Sequence, residues 1–101
     1  MSVIVNFAMF PMDKGQSLGP YVARVVDALR QCGVDYRLGP MATAFETDTV
    51  DQALAALACA HKALEEVSER IYTTVSIDAR KGRTGGLTGK VESVRRNLNR
   101  L

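Results

Sequence analysis

VIVNFAMF, from Val3 to Phe10, is the first strand that the sequence predicts, and Pro11 closes it. Successive side chains of a strand point to opposite faces of its sheet. One face can pack against helices and the other is left for different contacts. The first face carries Val3, Val5, Phe7 and Met9, and the second carries Asn6, Ala8 and Phe10.

Three further strands are predicted after this one. Val34–Leu38 is a short strand that Gly39-Pro40 breaks, and Met41–Glu46 is its antiparallel neighbour. Arg70–Asp78 alternates strongly between apolar and polar residues. In this last strand Val75 and Ile77 share the helix side, whereas the opposite side carries Tyr72, Thr74 and Ser76.

Helices are predicted between these strands and at the C-terminus. Apolar residues recur at helical spacing from Val22 to Cys32, with Ser17 as the expected N-cap and Gly33 as the expected stop. Thr49 and Gln52 form a capping-box pair at the start of a second helix. A short amphipathic helix carries the apolar residues Val91, Val94, Leu98 and Leu101, and Thr88 is its expected cap.

The order of these elements predicts an α+β fold. Right-handed crossovers in a β-α-β-β-α-β chain give a ferredoxin-like sandwich, in which two helices cover one face of a four-stranded antiparallel sheet. The short C-terminal helix is an addition to this fold, and residues 1–101 are expected to form one domain. The first and last strands would be neighbours, so the uncovered face would combine two aromatic rings with amide and hydroxyl groups. Such a surface suits a ligand or a partner subunit.

Composition excludes several classes of protein. The chain has 101 residues, 47% of them apolar and 24% charged, with a formal net charge of +2. Basic and acidic residues are interspersed, so no nucleic-acid footprint is expected. No apolar run is long enough for a membrane span, and the N-terminus lacks the features of a signal peptide, so a cytoplasmic protein without membrane partners is expected.

The residue types that bind metals are few and scattered. Cys32 and Cys59 fall on helical apolar faces and are expected to be small core residues, because no CxxC pattern is present. His61 is the one histidine, and the sequence places it at the edge of the core. Neither a metal site nor a cofactor is expected.

Three stretches of the chain form a distinctive set. The first combines Phe7–Pro11 with Ser17–Val26, the second is Gly39–Glu46, and the third is Arg70–Arg80, which ends in an Asp-x-Arg pattern. Together they resemble the small microbial thiamine-binding protein family. Ala42, Thr47 and Ser76 depart from the residues common in the family, which are Gly, Gly and Lys.

The resemblance implies a ferredoxin-like fold, assembly into dimers and tetramers through sheet faces and edges, and a small-molecule ligand. That ligand would be thiamine or its hydroxymethylpyrimidine moiety, held for sequestration or sensing without catalysis. Glu46 would attract the positive charge of the thiazolium ring. The alternative for Glu46 is an ordinary carboxylate at the end of a strand, exposed to water. The other candidate ligand residues are Asn6, Phe10, Ser17, Thr43, Tyr72, Thr74 and Ser76.

Each of these residues also has a structural alternative. Thr43 could be a buried hydroxyl bonded to the backbone, and Ser17 could be a plain N-cap. The polar and aromatic residues of the uncovered face could form a subunit interface rather than a ligand wall. Asp78 and Arg80 could form an ion pair that anchors the glycine-rich basic loop at residues 81–86.

Two other functions stay open from sequence. The first is an oligomeric structural or regulatory module without a thiamine site. The second is a small enzyme, since ferredoxin-like dimers can host catalysis. No nucleophile–base pair and no cluster of histidines supports the enzyme.

Overall fold

The predicted order of elements is confirmed. The computed structural model describes residues 1–101 and contains four strands and three helices. In chain order these are β1 (Ser2–Pro11), α1 (Gly19–Gln31), β2 (Asp35–Leu38), β3 (Thr43–Thr47), α2 (Val50–Glu65), β4 (Ile71–Arg80) and α3 (Gly86–Leu98).

The sheet is antiparallel throughout and has the strand order β2-β3-β1-β4. The long strands β1 and β4 are neighbours, as predicted, and pair along their whole length from Ser2↔Arg80 to Pro11↔Ile71. The pairing of β1 with β3 is shorter and runs only from Val3↔Thr47 to Phe7↔Thr43. Because of this difference in length, part of β1 has no strand partner on the side of β3.

The core lies between one sheet face and the helices α1 and α2. The predicted inward residues of β1 are all buried, and they meet Val25 and Leu29 of α1 and Phe45 of β3. Helix α2 presents Ala53, Ala56 and Ala60 to the sheet, and these small side chains let its backbone approach closely. On β4 the predicted inward residues Val75 and Ile77 are 42% exposed, because β4 is an edge strand that α2 contacts and α1 does not.

Two of the predicted helix caps and stops are present in the structure and two are not. The Thr49–Gln52 capping box is present, and Gly33 follows the end of α1 with a φ of +75°. Ser17 is not the cap of α1, because Leu18 occupies the N-cap position and no side chain caps this helix. Thr88 is not the cap of α3 either, because α3 begins at Gly86 and a carboxylate from another element caps it.

Helix α3 covers one end of the face opposite the core. Its first turn packs on the sheet, where Gly86 and Leu87 are buried, and Lys90 in the next turn forms an ion pair with Asp78 of β4. The rest of the helix projects from the body and leaves Val91, Val94 and Leu98 exposed. None of the three helices is both long and apolar enough to cross a membrane.

The remainder of that face has no cover and is called the open face from here on. It carries the side chains of Asn6, Ala8, Phe10, Tyr72, Thr74 and Ser76.

Candidate functional site

A pocket forms where β1 runs on past the end of β3. The last β1–β3 pair is Phe7↔Thr43, so from Ala8 to Phe10 the edge of β1 that faces away from β4 has no strand partner. The β2–β3 connection turns at Gly39-Pro40 and keeps β3 from extending further. We call the resulting space the strand-end pocket.

The strand-end pocket has a volume of about 250 Å³ and a mainly apolar lining. Ligand sites for drug-sized molecules generally occupy about 300–1,000 Å³, so this space suits a single heteroaromatic ring. None of the lining side chains is charged. The lining comprises Phe7, Ala8, Met9 and Phe10 of β1, Leu18, Val22 and Val25 at and within α1, and Leu38, Gly39, Pro40, Met41, Ala42 and Thr43 around the β2–β3 turn.

The polar groups that border this pocket belong to Thr43 and to the main chain of the strand edge. Thr43 is 5% exposed and lies on the helix side of the sheet, and no hydrogen bond within the chain uses its hydroxyl. Strand main chain presents alternating N–H donors and C=O acceptors, and the edge of Ala8–Phe10 has no such partner on this side. The Thr43 side chain and a bare strand edge therefore border the same apolar space.

An aromatic pair joins the strand-end pocket to the open face. The rings of Phe10 and Tyr72 are cross-strand neighbours, with centroids 5.8 Å apart and planes tilted by 42°. Thr74 lies opposite Ala8 and Ser76 lies opposite Asn6, so these polar side chains continue the same face away from the pocket.

Glu46 lies at the other end of the sheet and caps α3. Its carboxylate accepts from the Gly86 N–H at 2.8 Å, from the Leu87 N–H at 3.4 Å and from the Ser2 hydroxyl. Glu46 pairs with Ile4, six residues from Phe10 along β1, which corresponds to about 20 Å of strand. Glu46 and Phe10 of one chain therefore cannot both contact one small ligand, contrary to the expectation from sequence.

The charge of Glu46 stabilises this contact. Partial burial works against ionisation, but the Ser2 hydroxyl and the Gly86 and Leu87 N–H groups outweigh it and hold the pKa of Glu46 below its ordinary value. An anion is also favoured at the positive end of a helix dipole. Glu46 therefore holds α3 on the sheet while it is ionised.

We expect acid to release the first turn of α3. For a carboxyl group with a lowered folded-state pKa, the stabilisation is complete above the ordinary value of 4.5 and is lost as the pH falls through the lower folded-state value. The chemical shift of the Gly86 amide, followed by NMR as the pH is lowered from 6, should report this transition. Glu46→Gln should abolish that titration; if the variant keeps it, another group controls the docking of α3.

A cluster of charged side chains anchors the glycine-rich basic loop. Its members are not the pair that the sequence predicts. Asp78 contacts Arg83 and Lys90 rather than Arg80. Lys90 and then Arg83 hold the pKa of Asp78 below its ordinary value. Arg83 also donates to the Ser2 and Asp78 carbonyl oxygens, each at 3.1 Å, and thereby ties the glycine-rich turn to β1 and β4.

Comparison with known proteins assigns the family. The sequence profile described as "Thiamine-binding protein" matches residues 5–95. The chain belongs to this thiamine-binding protein family. It is 41% identical over 83 residues to a UPF0045 protein of Methanothermobacter thermautotrophicus, covering 81% of this chain and 84% of that protein.

Solved structures agree on the fold of the thiamine-binding protein family. A hypothetical protein of Methanocaldococcus jannaschii is 22% identical and superposes with a TM-score of 0.83 over 92% of this chain and 95% of its own. A protein of Thermotoga maritima with the provisional name thiamine biosynthesis/salvage protein is 19% identical, with a TM-score of 0.76 over 91% of this chain and 99% of its own. At these identities the likeness establishes the ferredoxin-like fold.

The eight candidate residues do not form one site in this thiamine-binding family member. Phe10 and Thr43 line the strand-end pocket, whereas Asn6, Tyr72, Thr74 and Ser76 lie on the open face and Glu46 contacts α3. Ser17 is exposed and does not line the pocket. Thr43 and Glu46 point to opposite faces of a regular strand, as their spacing predicts.

Sequence reasoning missed the α1 and β2–β3 walls of the pocket. Leu18 and Val22 look like ordinary helix residues in the sequence, and the pattern around Met41 predicts a strand, whereas β3 begins at Thr43. The break at Gly39-Pro40 was the available signal, because a shortened β3 beside a longer β1 leaves an unpaired strand edge.

Proposed function

We propose that this protein binds thiamine through its aminopyrimidine ring in the strand-end pocket and does no chemistry on it. The observation that carries the proposal is a neutral, ring-sized apolar pocket that is lined by Thr43, whose hydroxyl has no hydrogen bond within the chain, and bordered by an unpaired strand edge. Membership of the thiamine-binding protein family supports the choice of ligand.

The chemistry of an aminopyrimidine fits these groups. Its amino group donates a hydrogen bond beside a ring nitrogen that accepts one, which resembles the alternation along a strand edge. Peptides use the same main-chain edge when they add to a sheet. The flat ring would lie against Phe10, and the Thr43 hydroxyl can donate or accept at its rim.

The neutral lining also favours one part of thiamine over the others. The thiazolium ring carries a positive charge, and thiamine phosphates carry negative charges. Burial of an unpaired charge is costly, and no lining side chain could compensate either sign. We therefore infer that the pyrimidine ring enters the pocket and that the charged parts stay in solvent, so hydroxymethylpyrimidine alone should bind.

Binding without catalysis is the simpler assignment for this pocket. The lining contains no carboxylate, histidine, lysine or cysteine, so it offers no side chain of the kind that usually serves as a general acid or base. Sequestration or sensing of the ligand needs none of these groups.

We also propose that two copies of the chain associate through β4. This ten-residue strand forms one edge of the sheet, and its far side has no strand neighbour. Tyr72, Val75 and Ile77 are all exposed along it. A long edge strand with exposed apolar side chains is a template for pairing with another strand, and natural proteins generally cover it.

Substitution of Thr43 tests the ligand site. Thr43→Val keeps the shape of the side chain but removes the hydroxyl, and we expect it to weaken the binding of hydroxymethylpyrimidine about threefold to tenfold, because one hydrogen bond is lost. Thr73→Val is the matched control, since Thr73 lies on β4 and does not line the pocket. Isothermal titration calorimetry at two protein concentrations measures affinity and shows whether self-association contributes.

The outcomes separate the candidate functions. Binding of hydroxymethylpyrimidine and thiamine that Thr43→Val weakens and Thr73→Val leaves unchanged supports the proposed site. Binding that ignores Thr43 places the ligand elsewhere, for example on the open face. No binding of either compound or of thiamine phosphates would overturn the proposal and favour an oligomeric module.

A further inference from the structure

The two cysteines line one groove on the side of the molecule away from the strand-end pocket. The sequence placed both in the core, but Cys32 and Cys59 are exposed free thiols. The groove has a volume of about 440 Å³ and lies between the end of α1, the start of β2, the end of β3 and the side of α2 that carries Ala56 and Cys59. Its lining also includes Gly33, Ala55 and Ala56, which carry little or no side chain.

Helix packing brings these cysteines together. Arg24 in the middle of α1 contacts Ala63 and Glu66 near the end of α2, whereas Cys32 at the end of α1 shares the groove with Cys59, so the two helices run antiparallel. The last turn of α1 accordingly meets the middle of α2, where Cys59 lies. Burial in the groove and the adjacent Cys59 thiol raise the pKa of Cys32, as expected for neighbouring thiols.

Cys32 lies at an open end of its helix. Cys32 is the C-cap residue of α1, and Gly33 follows it with a φ of +75°. A side chain added at Gly33 would meet no atom within 4 Å, so this end of the helix is not enclosed by other elements. A disulfide needs its two Cα atoms about 4.4–6.8 Å apart, and the end of a helix reaches such geometry more easily than its middle.

We propose that Cys32 and Cys59 form a reversible intrachain disulfide when the protein meets a hydroperoxide. One thiolate attacks the peroxide oxygen and becomes a sulfenic acid, and the O–O bond breaks to release water or an alcohol. The second thiol attacks the sulfenic sulfur, and its S–S bond forms as the sulfenic oxygen leaves as water. Two electrons pass from the two sulfur atoms to the hydroperoxide, and a dithiol reductant reverses the change.

The disulfide would join α1 to α2 across the groove and make the helix layer more rigid. A cross-link between positions 32 and 59 closes a loop that contains β2, β3 and half of α2, which reduces the conformational freedom of the unfolded chain. The loop includes the β2–β3 turn that lines the strand-end pocket, so the cross-link would restrain a segment next to the proposed ligand site.

The test is oxidation of the purified wild-type protein by stoichiometric hydrogen peroxide, with ligand absent. We expect the loss of both titratable thiols, a mass decrease of two hydrogen atoms, and a tryptic peptide that joins Cys32 to Cys59. The Tm of thermal unfolding should rise on oxidation and should return to its original value after treatment with dithiothreitol. Cys32→Ser is the matched control and should show neither the internal cross-link nor the shift in Tm.

Three results would overturn this inference. They are two thiols that stay titratable after oxidation, disulfides found only between chains, and conversion of either cysteine to a sulfinic acid without a cross-link. None of these depends on thiamine, so failure of the ligand proposal leaves the experiment unaffected.

Discussion

Phe45→Ala should lower the free energy of unfolding by about 3–5 kcal/mol, the usual cost of removing a buried phenylalanine. Phe45 is 0% exposed, and its ring meets Phe7 edge to face with centroids 5.7 Å apart. Domains of this kind generally have about 5–15 kcal/mol of stability in total, so the substitution removes a large fraction of it. Urea unfolding followed by far-UV circular dichroism measures the change.

Phe10→Ala is the matched control for Phe45→Ala. The same group of atoms is removed, but Phe10 is only half-buried at the margin of the open face. We expect less than half the loss seen for Phe45. If Phe45→Ala does not fold, Phe45→Leu should fold with an intermediate loss, and equal losses for the two alanine variants would contradict the placement of the core on the helix side of the sheet.

Gly86→Ala should detach α3 from the sheet. A Cβ atom at Gly86 would lie 2.7 Å from Nε of Arg83 and 2.8 Å from both Cδ1 of Ile4 and Oγ of Ser2, so three side chains would have to move together. Overpacking of this kind costs about 1–3 kcal/mol. Amide hydrogen exchange at Leu87 and its neighbours should become faster, and the hydrogen bonds to Glu46 should weaken.

Gly89 provides an internal control for this experiment. It lies in the same helix, and a Cβ added there meets no atom within 4 Å. Alanine is about 0.8–1.0 kcal/mol more favourable than glycine inside a helix, so Gly89→Ala should strengthen α3. If both variants strengthen α3, the first turn of this helix is not held against Ser2 and Ile4 as described.

Local patterns in the sequence were sufficient to predict the sheet and its two faces. The alternation in β1 and β4 predicted which side chains turn toward the helices, because that choice depends only on the two-residue period of a strand. The capping box at Thr49 and Gln52 was equally accessible, since its partners lie three residues apart.

Contacts between distant parts of the chain could not be predicted in the same way. The cap of α3 is Glu46, which is separated from Gly86 by 40 positions, so no local motif indicates it and the sequence points to Thr88 instead. The cysteines were misplaced for a related reason. Each cysteine lies near the edge of the apolar stripe of its helix. Whether a residue there is buried or exposed depends on how α1 and α2 pack against each other.

The unequal lengths of β1 and β3 have a consequence for the evolution of this architecture. Val3, Val5 and Phe45 of the hydrophobic core lie where β1 and β3 are paired, whereas the strand-end pocket depends on how far β3 extends along the second half of β1. Insertions or deletions at Gly39–Ala42 would therefore resize the pocket while leaving Val3, Val5 and Phe45 in register. Related proteins could differ in the size of this pocket through changes in a single short turn, without loss of the stability of the scaffold.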